Sequence, residues 1–170
     1  MLLVARRGFT SPFFYHTVIF LLHHDAESSF GVIINQPRRK RLSEVVDGVE
    51  GSWLQDLPVY HGGPVDAYKM LILLRTSKPP LLTEPVTDDL HFSSYPLLLH
   101  DLALRKEAGI TLRCYSGLAS WSPGQLEDEL RKGYWHLMQA EPGIVFQEGT
   151  ENLWETLIDR LETVVPIKIE

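Results

Sequence analysis

The sequence predicts an α+β fold in which a curved mixed β-sheet is flanked by helices. Short runs rich in β-branched and aromatic residues, separated by glycine and proline, dominate the first half and are typical of strands. Helix caps and an apolar stripe of helical period lie in the second half, and strands and helices do not alternate strictly. Because 170 residues match the usual size of one domain, we predict a single domain over residues 1–170.

Short apolar runs predict the strands of this sheet. They lie at residues 2–5, 17–23, 30–35, 59–61, 69–75, 110–116 and 134–139. The second and third runs are joined by a few polar residues, so we expect them to pair antiparallel as a hairpin. The proline-rich residues 78–85 predict an extended loop. The basic residues 38–41 predict a solvated turn, followed by a short helix at Leu42, Val45 and Val46.

The second half of the sequence predicts three helices. The first begins near Pro96, which suits the first turn of a helix, has an apolar face over residues 97–108 and ends at Gly109. The third covers residues 150–163, where apolar residues recur at helical spacing. These apolar residues are Leu153, Trp154, Leu157, Ile158 and Leu161. A turn is predicted at residues 141–143, before this last helix.

The second helix has the strongest local signal, a capping box at residues 122–125. The Ser122 hydroxyl is expected to accept a hydrogen bond from the Gln125 N–H, while the Gln125 side chain reaches back to Ser122. Acidic residues follow at 127–129, where the helix dipole favours negative charge, and Gly133 ends the helix. This position explains the three acidic residues without a paired-carboxylate site.

Composition excludes several classes of protein. Hydrophobic residues make up 44% and charged residues 22% of the chain, which is typical of a globular protein rather than a disordered one. A single cysteine excludes a disulfide scaffold. The apolar run at residues 18–22 is too short for a signal peptide or a membrane span. We therefore predict a cytoplasmic protein that does not bind a membrane.

The net charge of −6 is distributed unevenly along the chain. Residues 1–85 are nearly neutral, whereas residues 86–170 hold 14 acidic and 7 basic residues. This acidity argues against nucleic acid as a partner, because affinity for nucleic acid depends on positive charge. The local exception is the basic run of Arg38, Arg39, Lys40 and Arg41.

Residues that could carry chemistry occur without a known catalytic motif. Motifs for phosphate binding, dinucleotide binding, zinc proteases and nucleophilic serine elbows are absent from the sequence. His23 and His24 are adjacent in a predicted strand, so they point to opposite faces and cannot share a metal ion. We predict no metal and no cofactor. Cys114 is expected to be a buried apolar side chain, with a reactive nucleophile as the alternative.

Four sequence blocks stand out as a set. They are Leu-Leu-Val-Ala at 2–5 with Pro-Phe-Phe at 12–14, Phe-Gly-Val-Ile-Ile-Asn-Gln-Pro at 30–37, Tyr-His-Gly-Gly-Pro-Val at 60–65, and Ser-Gly-Leu-Ala-Ser-Trp-Ser-Pro-Gly-Gln-Leu-Glu at 116–127. In this order they resemble the YqgE/AlgH family of bacterial proteins. The resemblance implies a bifurcated, partly barrel-like sheet with helices around it. One branch of that family is labelled a transcriptional regulator, and the resemblance supplies no catalytic residue and no cofactor.

Three loops that follow predicted strands form a candidate recognition surface. Its residues are Asn35, Gln36 and Pro37, then Gly62, Gly63 and Pro64, then Trp121 and Gln125. Because all three loops follow strands, we expect them to gather at one end of the sheet, within about 20 Å of one another. The glycine pair is typical of a tight turn, with a backbone nest for an anion as the alternative.

These observations favour a non-enzymatic binding or regulatory protein. Its expected partner is a small molecule or another protein, and the sequence leaves the oligomeric state open. The alternative is an unrecognised hydrolase that uses His24 or His61 with a carboxylate, for which Glu127 is the candidate. A third hypothesis is DNA binding through the basic run at residues 38–41.

Overall fold

The computed structural model describes residues 1–105 and 109–163. Within these residues the chain forms ten strands, four α-helices and two single-turn 3-10 helices. The strands are β1 (Leu2–Ala5), β2 (Val18–His24), β3 (Ser29–Ile33), β4 (Pro37–Arg41), β5 (Pro58–His61), β6 (Val65–Arg75), β7 (Glu84–Pro85), β8 (Leu90–Ser93), β9 (Thr111–Trp121) and β10 (Trp135–Met138). The α-helices are α1 (Leu97–Leu104), α2 (Gln125–Arg131), α3 (Pro142–Val145) and α4 (Leu153–Glu162). The 3-10 helices are Leu42–Glu44 and Thr150–Asn152.

The strands form one sheet that divides at β9. Along the sheet the order is β10-β1-β2-β3-β9-β6-β8-β7, and a side branch of β5 and β4 also joins β9. β9 pairs with β5 through its middle, residues 114–116, and with β3 through its C-terminal end, residues 119–121, so that two branches of the sheet leave the same strand. The β5–β9 pairing is parallel and the others are antiparallel. The sheet curls into a half-barrel, which confirms the predicted α+β fold with a curved, partly barrel-like mixed sheet.

Two hydrophobic cores lie on opposite faces of β9. Successive side chains of a strand alternate between faces, so Tyr115 belongs to the larger core and Cys114 to the smaller one. The larger core collects β1, β2, β3 and α4, together with three buried tryptophans. The smaller core is covered by α1 and by apolar residues between positions 42 and 59. β9 is therefore buried on both faces, which explains why its sequence lacks a simple polar–apolar alternation.

Helix α4 lies where the apolar stripe predicts it, after a 3-10 turn that begins at Thr150. Its buried residues are Leu153, Trp154, Leu157 and Ile158. The Trp154 indole donates a hydrogen bond to the Ala5 carbonyl at 2.7 Å, which fixes the helix to β1. None of the helices in residues 1–105 and 109–163 is long and apolar enough to span a bilayer.

The predicted hairpin and the first predicted helix are both present. β2 and β3 pair antiparallel, with a bulge between Leu21 and His23. Helix α1 follows Pro96 and ends at Leu104, before the end that the sequence predicts at Gly109. Residues 106–108 of that predicted helix lie outside the described residues.

Two predictions from the sequence are wrong in detail, and one strand was not predicted. Residues 38–41 are not a solvated turn but belong to the exposed strand β4, because pairing with β5 and not an apolar pattern defines this strand. The predicted turn at residues 141–143 opens the one-turn helix α3. The sequence patterns do not predict β8, in which His91 and Ser93 are buried beside apolar residues. The prediction of a single domain stays a prediction.

Candidate functional site

The first two loops of the predicted recognition surface, residues 35–37 and 62–64, lie side by side where the sheet divides. The Gln36 carbonyl accepts a hydrogen bond from the His61 N–H at 2.9 Å, so β4 starts directly beside the end of β5. Pro37 and Pro64 are at least partly exposed on this side, whereas both glycines are buried. The contact therefore brings two of the three predicted loops together.

Asn35 lies at this junction but its amide is engaged within the protein. Asn35 Oδ1 accepts a hydrogen bond from the Val18 N–H at 2.8 Å. Its Nδ2 donates to the His16 carbonyl at 2.9 Å. These bonds tie the segment before β2 to the end of β3, and a ligand contact by Asn35 stays a prediction.

The third loop, residues 121–125, is held by Glu129 of α2. Glu129 Oε2 accepts the indole N–H groups of Trp121 and Trp135, each at 2.8 Å. Glu129 Oε1 accepts Nε2 of Gln125 at 2.9 Å. Trp121 and Gln125 therefore use these polar groups inside the protein, and their function in binding stays a prediction.

The predicted capping box of α2 is formed only in part. Gln125 Oε1 accepts the Ser122 backbone N–H at 3.0 Å, as the sequence predicts. The Ser122 carbonyl, and not its hydroxyl, accepts the Gln125 N–H. The reason is that Gly124, with a φ of +76°, and not Ser122 occupies the cap position, so that the helix begins two residues later than predicted, at Gln125. Gly133 ends the helix with a φ of +76°, which agrees with the sequence.

A basic depression of about 380 Å³ lies between β4 and a bulge of β6, next to the first two loops. Its polar lining residues are Arg38, Lys40, Tyr68 and Ser116. Its apolar lining residues are Val45, Val59, Ala67 and Met70. Among the described residues that line it, none is acidic. The depression is therefore a concave surface that carries positive charge on a protein of net negative charge.

The bulge of β6 places Tyr68 at the rim of this depression. Residues 66–69 of β6 lie opposite the single residue Gly117 of β9. The Ser116 hydroxyl donates a hydrogen bond to the Ala67 carbonyl at 2.6 Å, which links the bulge to β9. The Tyr68 side chain is fully exposed. No sequence pattern indicates this tyrosine, because the bulge depends on pairing with β9.

Arg38 is oriented by His61 across the β4–β5 pair. Arg38 Nη2 donates a hydrogen bond to His61 Nδ1 at 3.0 Å. Burial, and secondly the positive charge of Arg38, hold the pKa of His61 below its ordinary value. His61 is therefore neutral at pH 7 and able to accept this bond. Its partner is an arginine, whereas the hydrolase hypothesis requires a carboxylate.

His24 bridges the β2–β3 hairpin and α2. Its Nδ1 lies 2.6 Å from Ser29 Oγ, and its Nε2 lies 3.4 Å from Glu127 Oε1. An imidazole between a hydroxyl and a carboxylate is the arrangement of a serine–histidine–acid relay. Ser29 is only 4% exposed, which limits access to its hydroxyl. The sequence suggested His24 and Glu127, but it held no signal for Ser29.

Cys114 is a free cysteine that is fully buried. Burial raises the pKa of Cys114 to about 12, so it remains a neutral thiol at physiological pH. The alternative of a nucleophilic Cys114 is therefore wrong. Within the part of the chain that the structure describes, no three His, Cys, Asp or Glu side chains are placed to hold a metal ion.

Comparison with known proteins decides the family. The model of the AlgH-like family matches residues 2–165. The chain belongs to the AlgH-like family. A UPF0301 protein of Streptomyces avermitilis is 33% identical over 165 residues, which cover 94% of this chain and 84% of the relative. A UPF0301 protein of a Marinomonas species is 32% identical, over 88% of this chain and 81% of the relative.

Two solved structures share the fold of this AlgH-like protein. The solution structure of the AlgH protein from Pseudomonas aeruginosa has a TM-score of 0.79 and 26% identity, and covers 96% of this chain and 88% of its own. A crystal structure of a protein from Corynebacterium diphtheriae has a TM-score of 0.75 at 23% identity, over 97% and 86% of the two chains. The predicted family is thus confirmed. The names of these proteins state no activity.

Proposed function

We propose that this AlgH-like protein is a non-enzymatic binding protein that recognises an acidic segment of a partner protein in the basic depression. The observation that carries the proposal is the convergence of Arg38, Lys40 and Tyr68 on one concave surface without an acidic lining residue. The proposal includes the cytoplasmic location predicted from the sequence.

The cations of β4 differ in whether they pair with carboxylates of the protein. Arg41 pairs with Glu44 and Asp56, at 3.6 and 3.2 Å, so its charge is largely neutralised. Arg38 donates to the neutral His61 and keeps its full charge. Lys40 forms no salt bridge with any residue in ranges 1–105 and 109–163. Both cations that line the depression therefore remain available to carboxylates of a partner, and charge-assisted hydrogen bonds of this kind are stronger than neutral ones.

A short acidic segment suits this surface better than a long polyanion. Carboxylates border the depression on two sides: Glu44 and Asp56 lie beside Arg41, and Asp66 lies in the bulge beside Lys69. A nucleic acid that followed β4 would pass these carboxylates and would be repelled by them. Two or three acidic side chains of a protein segment could instead contact Arg38 and Lys40 and pack against the Tyr68 ring.

The proposal is tested with the double variant Arg38→Gln/Lys40→Gln and a fluorescent acidic peptide with alternating Asp and Val residues. We expect anisotropy titration to show saturable binding that weakens as NaCl rises from about 25 to about 150 mM. In the double variant the affinity should fall at least about tenfold, because both cations that line the depression are gone. The matched control is Arg131→Gln/Lys132→Gln, which removes the same charge at the C-terminal end of α2 and should leave the affinity unchanged.

Three outcomes would contradict this proposal. Equal loss of affinity in both double variants would mean that the peptide responds only to net charge. Equal binding of a peptide with Asn in place of Asp would exclude recognition of carboxylates. Tighter binding of a single-stranded oligonucleotide than of the acidic peptide, at the same salt, would assign the surface to nucleic acid.

A second candidate function rests on the relay of His24, Ser29 and Glu127. With the Nε2 proton directed at Glu127, the free lone pair of Nδ1 could take the Ser29 proton, and the carboxylate would stabilise the imidazolium that forms. This chemistry supports a hydrolase that acts on an ester or amide. The proximity of the three side chains favours it, whereas the burial of Ser29 argues against access by a large substrate.

The hydrolase candidate predicts turnover of a small activated ester, p-nitrophenyl butyrate, by the unmodified protein. Ser29→Ala should lower this rate by at least about a hundredfold, since it removes the nucleophile. Ser28→Ala is the matched control, because Ser28 is the exposed neighbour outside the relay. A rate that survives in Ser29→Ala would exclude the relay as a catalytic site.

A further inference from the structure

An apolar cavity of about 460 Å³ opens beside His24 and shares no lining residue with the basic depression. Its walls come from β2, α2, β10 and the residues that lead into β8. The apolar side chains that define it are Phe20, Leu22, Leu90, Leu126, Leu130 and Leu137. This volume lies within the range of about 300–1,000 Å³ that is typical of small-molecule sites.

The lining of the cavity favours an aliphatic ligand. Among the apolar side chains named, leucines outnumber the single phenylalanine, so the walls offer flexible aliphatic contacts rather than flat aromatic surfaces for stacking. Leu137 remains about half exposed at 48%, although it faces the cavity. Burial of such surface by an aliphatic chain is favourable in proportion to the area removed from water.

The mouth of the cavity is acidic. Asp88 and Asp89 line it, and neither Lys nor Arg is among the described lining residues. The lining also includes Met1, and burial lowers the pKa of its α-amino group, which disfavours the charged form of this amine. Asp89 pairs with Arg75 at 3.0 Å, while Asp88 has no ion-pair partner in the part of the chain that the structure describes. The two lining histidines, His23 and His24, each face a carboxylate of their own, Asp25 and Glu127. A positively charged group at the mouth would therefore be attracted, and a carboxylate would be repelled.

We propose that this cavity binds a small cationic amphiphile, a single aliphatic chain with an amine head group. The chain would lie against Leu126 and Leu130 of α2 and Phe20 of β2, and the amine would lie beside Asp88. This site is separate from Arg38 and Lys40, so its test does not depend on the acidic-segment proposal.

The test compares decylamine, decanol and decanoate, each below its micelle-forming concentration, by isothermal titration calorimetry with the full chain. We expect saturable binding of decylamine with one site, weaker binding of decanol, and binding of decanoate at least about tenfold weaker than that of decylamine. If decanoate binds as tightly as decylamine, the assignment of a positively charged head group to the ligand is overturned. Absence of saturable binding by all three would overturn the site itself.

Two variants and one control test whether the ligand binds in this cavity. Ala140→Phe fills the cavity from its partly exposed wall and should weaken decylamine binding at least about tenfold. Ala26→Phe makes the same change at an exposed position outside the lining and should leave binding unchanged. Asp88→Asn should weaken the binding of decylamine about threefold or more and leave the binding of decanol unchanged. Full binding in Ala140→Phe, or equal loss in both phenylalanine variants, would exclude this cavity as the site.

Discussion

Replacing Gly117 with alanine is expected to prevent folding or to lower the free energy of unfolding by more than about 4 kcal/mol. An added Cβ would lie 2.3 Å from the Gly63 carbonyl oxygen and 3.1 Å from that of Val65. Both atoms belong to the backbone and cannot rotate away. The close contact is needed where β9 changes partners. Gly62 and Gly63 also allow these two backbone segments to lie close together.

The matched control for this substitution is Gly124→Ala. Gly124 has the same φ of +76° as Gly117, but nothing lies within 4 Å of its added Cβ. Gly124→Ala therefore measures backbone strain alone, about 1–2 kcal/mol for an L residue in the left-handed region. Urea denaturation of both variants gives the difference. Similar losses in the two variants would show that the contact with Gly63 does not limit this position.

Glu129→Ala is expected to lower the free energy of unfolding by about 2–5 kcal/mol, since it leaves two buried indole N–H groups without an acceptor. Trp121 and Trp135 are 3% and 2% exposed, so water does not readily replace the carboxylate. Both indoles lie in the larger core, and α2 would lose its polar attachment to them. Chemical denaturation followed by tryptophan fluorescence and by circular dichroism measures the effect.

Glu129→Gln and Asp128→Ala separate the causes of that loss. Glu129→Gln keeps an oxygen that can accept both indole N–H groups, and we expect it to cost about 1 kcal/mol. Asp128→Ala removes the neighbouring acid, whose ion pair with Arg131 lies on the surface. It should lower the free energy of unfolding by less than about 1 kcal/mol. If Asp128→Ala were as damaging as Glu129→Ala, the helix dipole and not the indole contacts would explain the stability.

Elements with a local apolar signal were predictable from the sequence. α4 has an apolar stripe of helical period, whereas β2 and β3 are short apolar runs in which successive residues are buried. β4 was not predictable in this way, because all five of its residues are exposed and carry no apolar pattern. Its strand conformation follows from the position of β5, and that position depends on β9.

The candidate sites were likewise predictable from the sequence only in part. The sequence identified His24 and Glu127 as chemically suitable residues, but their spacing along the chain held no evidence of contact. Ligand binding by Trp121 and Gln125 stays a prediction, and the bonds of their side chains to Glu129 had no signal in the sequence. The aliphatic cavity and the exposed Tyr68 had no signal at all, because each arises where distant segments meet.

By itself, the sequence determined the family, the α+β class, the hairpin and the last helix. Local hydrophobic periods, caps and a set of family blocks are sufficient for these, since each depends on residues near one another in the chain. Only the tertiary structure decided where charge and apolar surface accumulate. The basic depression requires the β6 bulge to meet β4, and the cavity requires α2 and β10 to close over β2. Both depend on the curl and division of the sheet at β9, which no local pattern encodes.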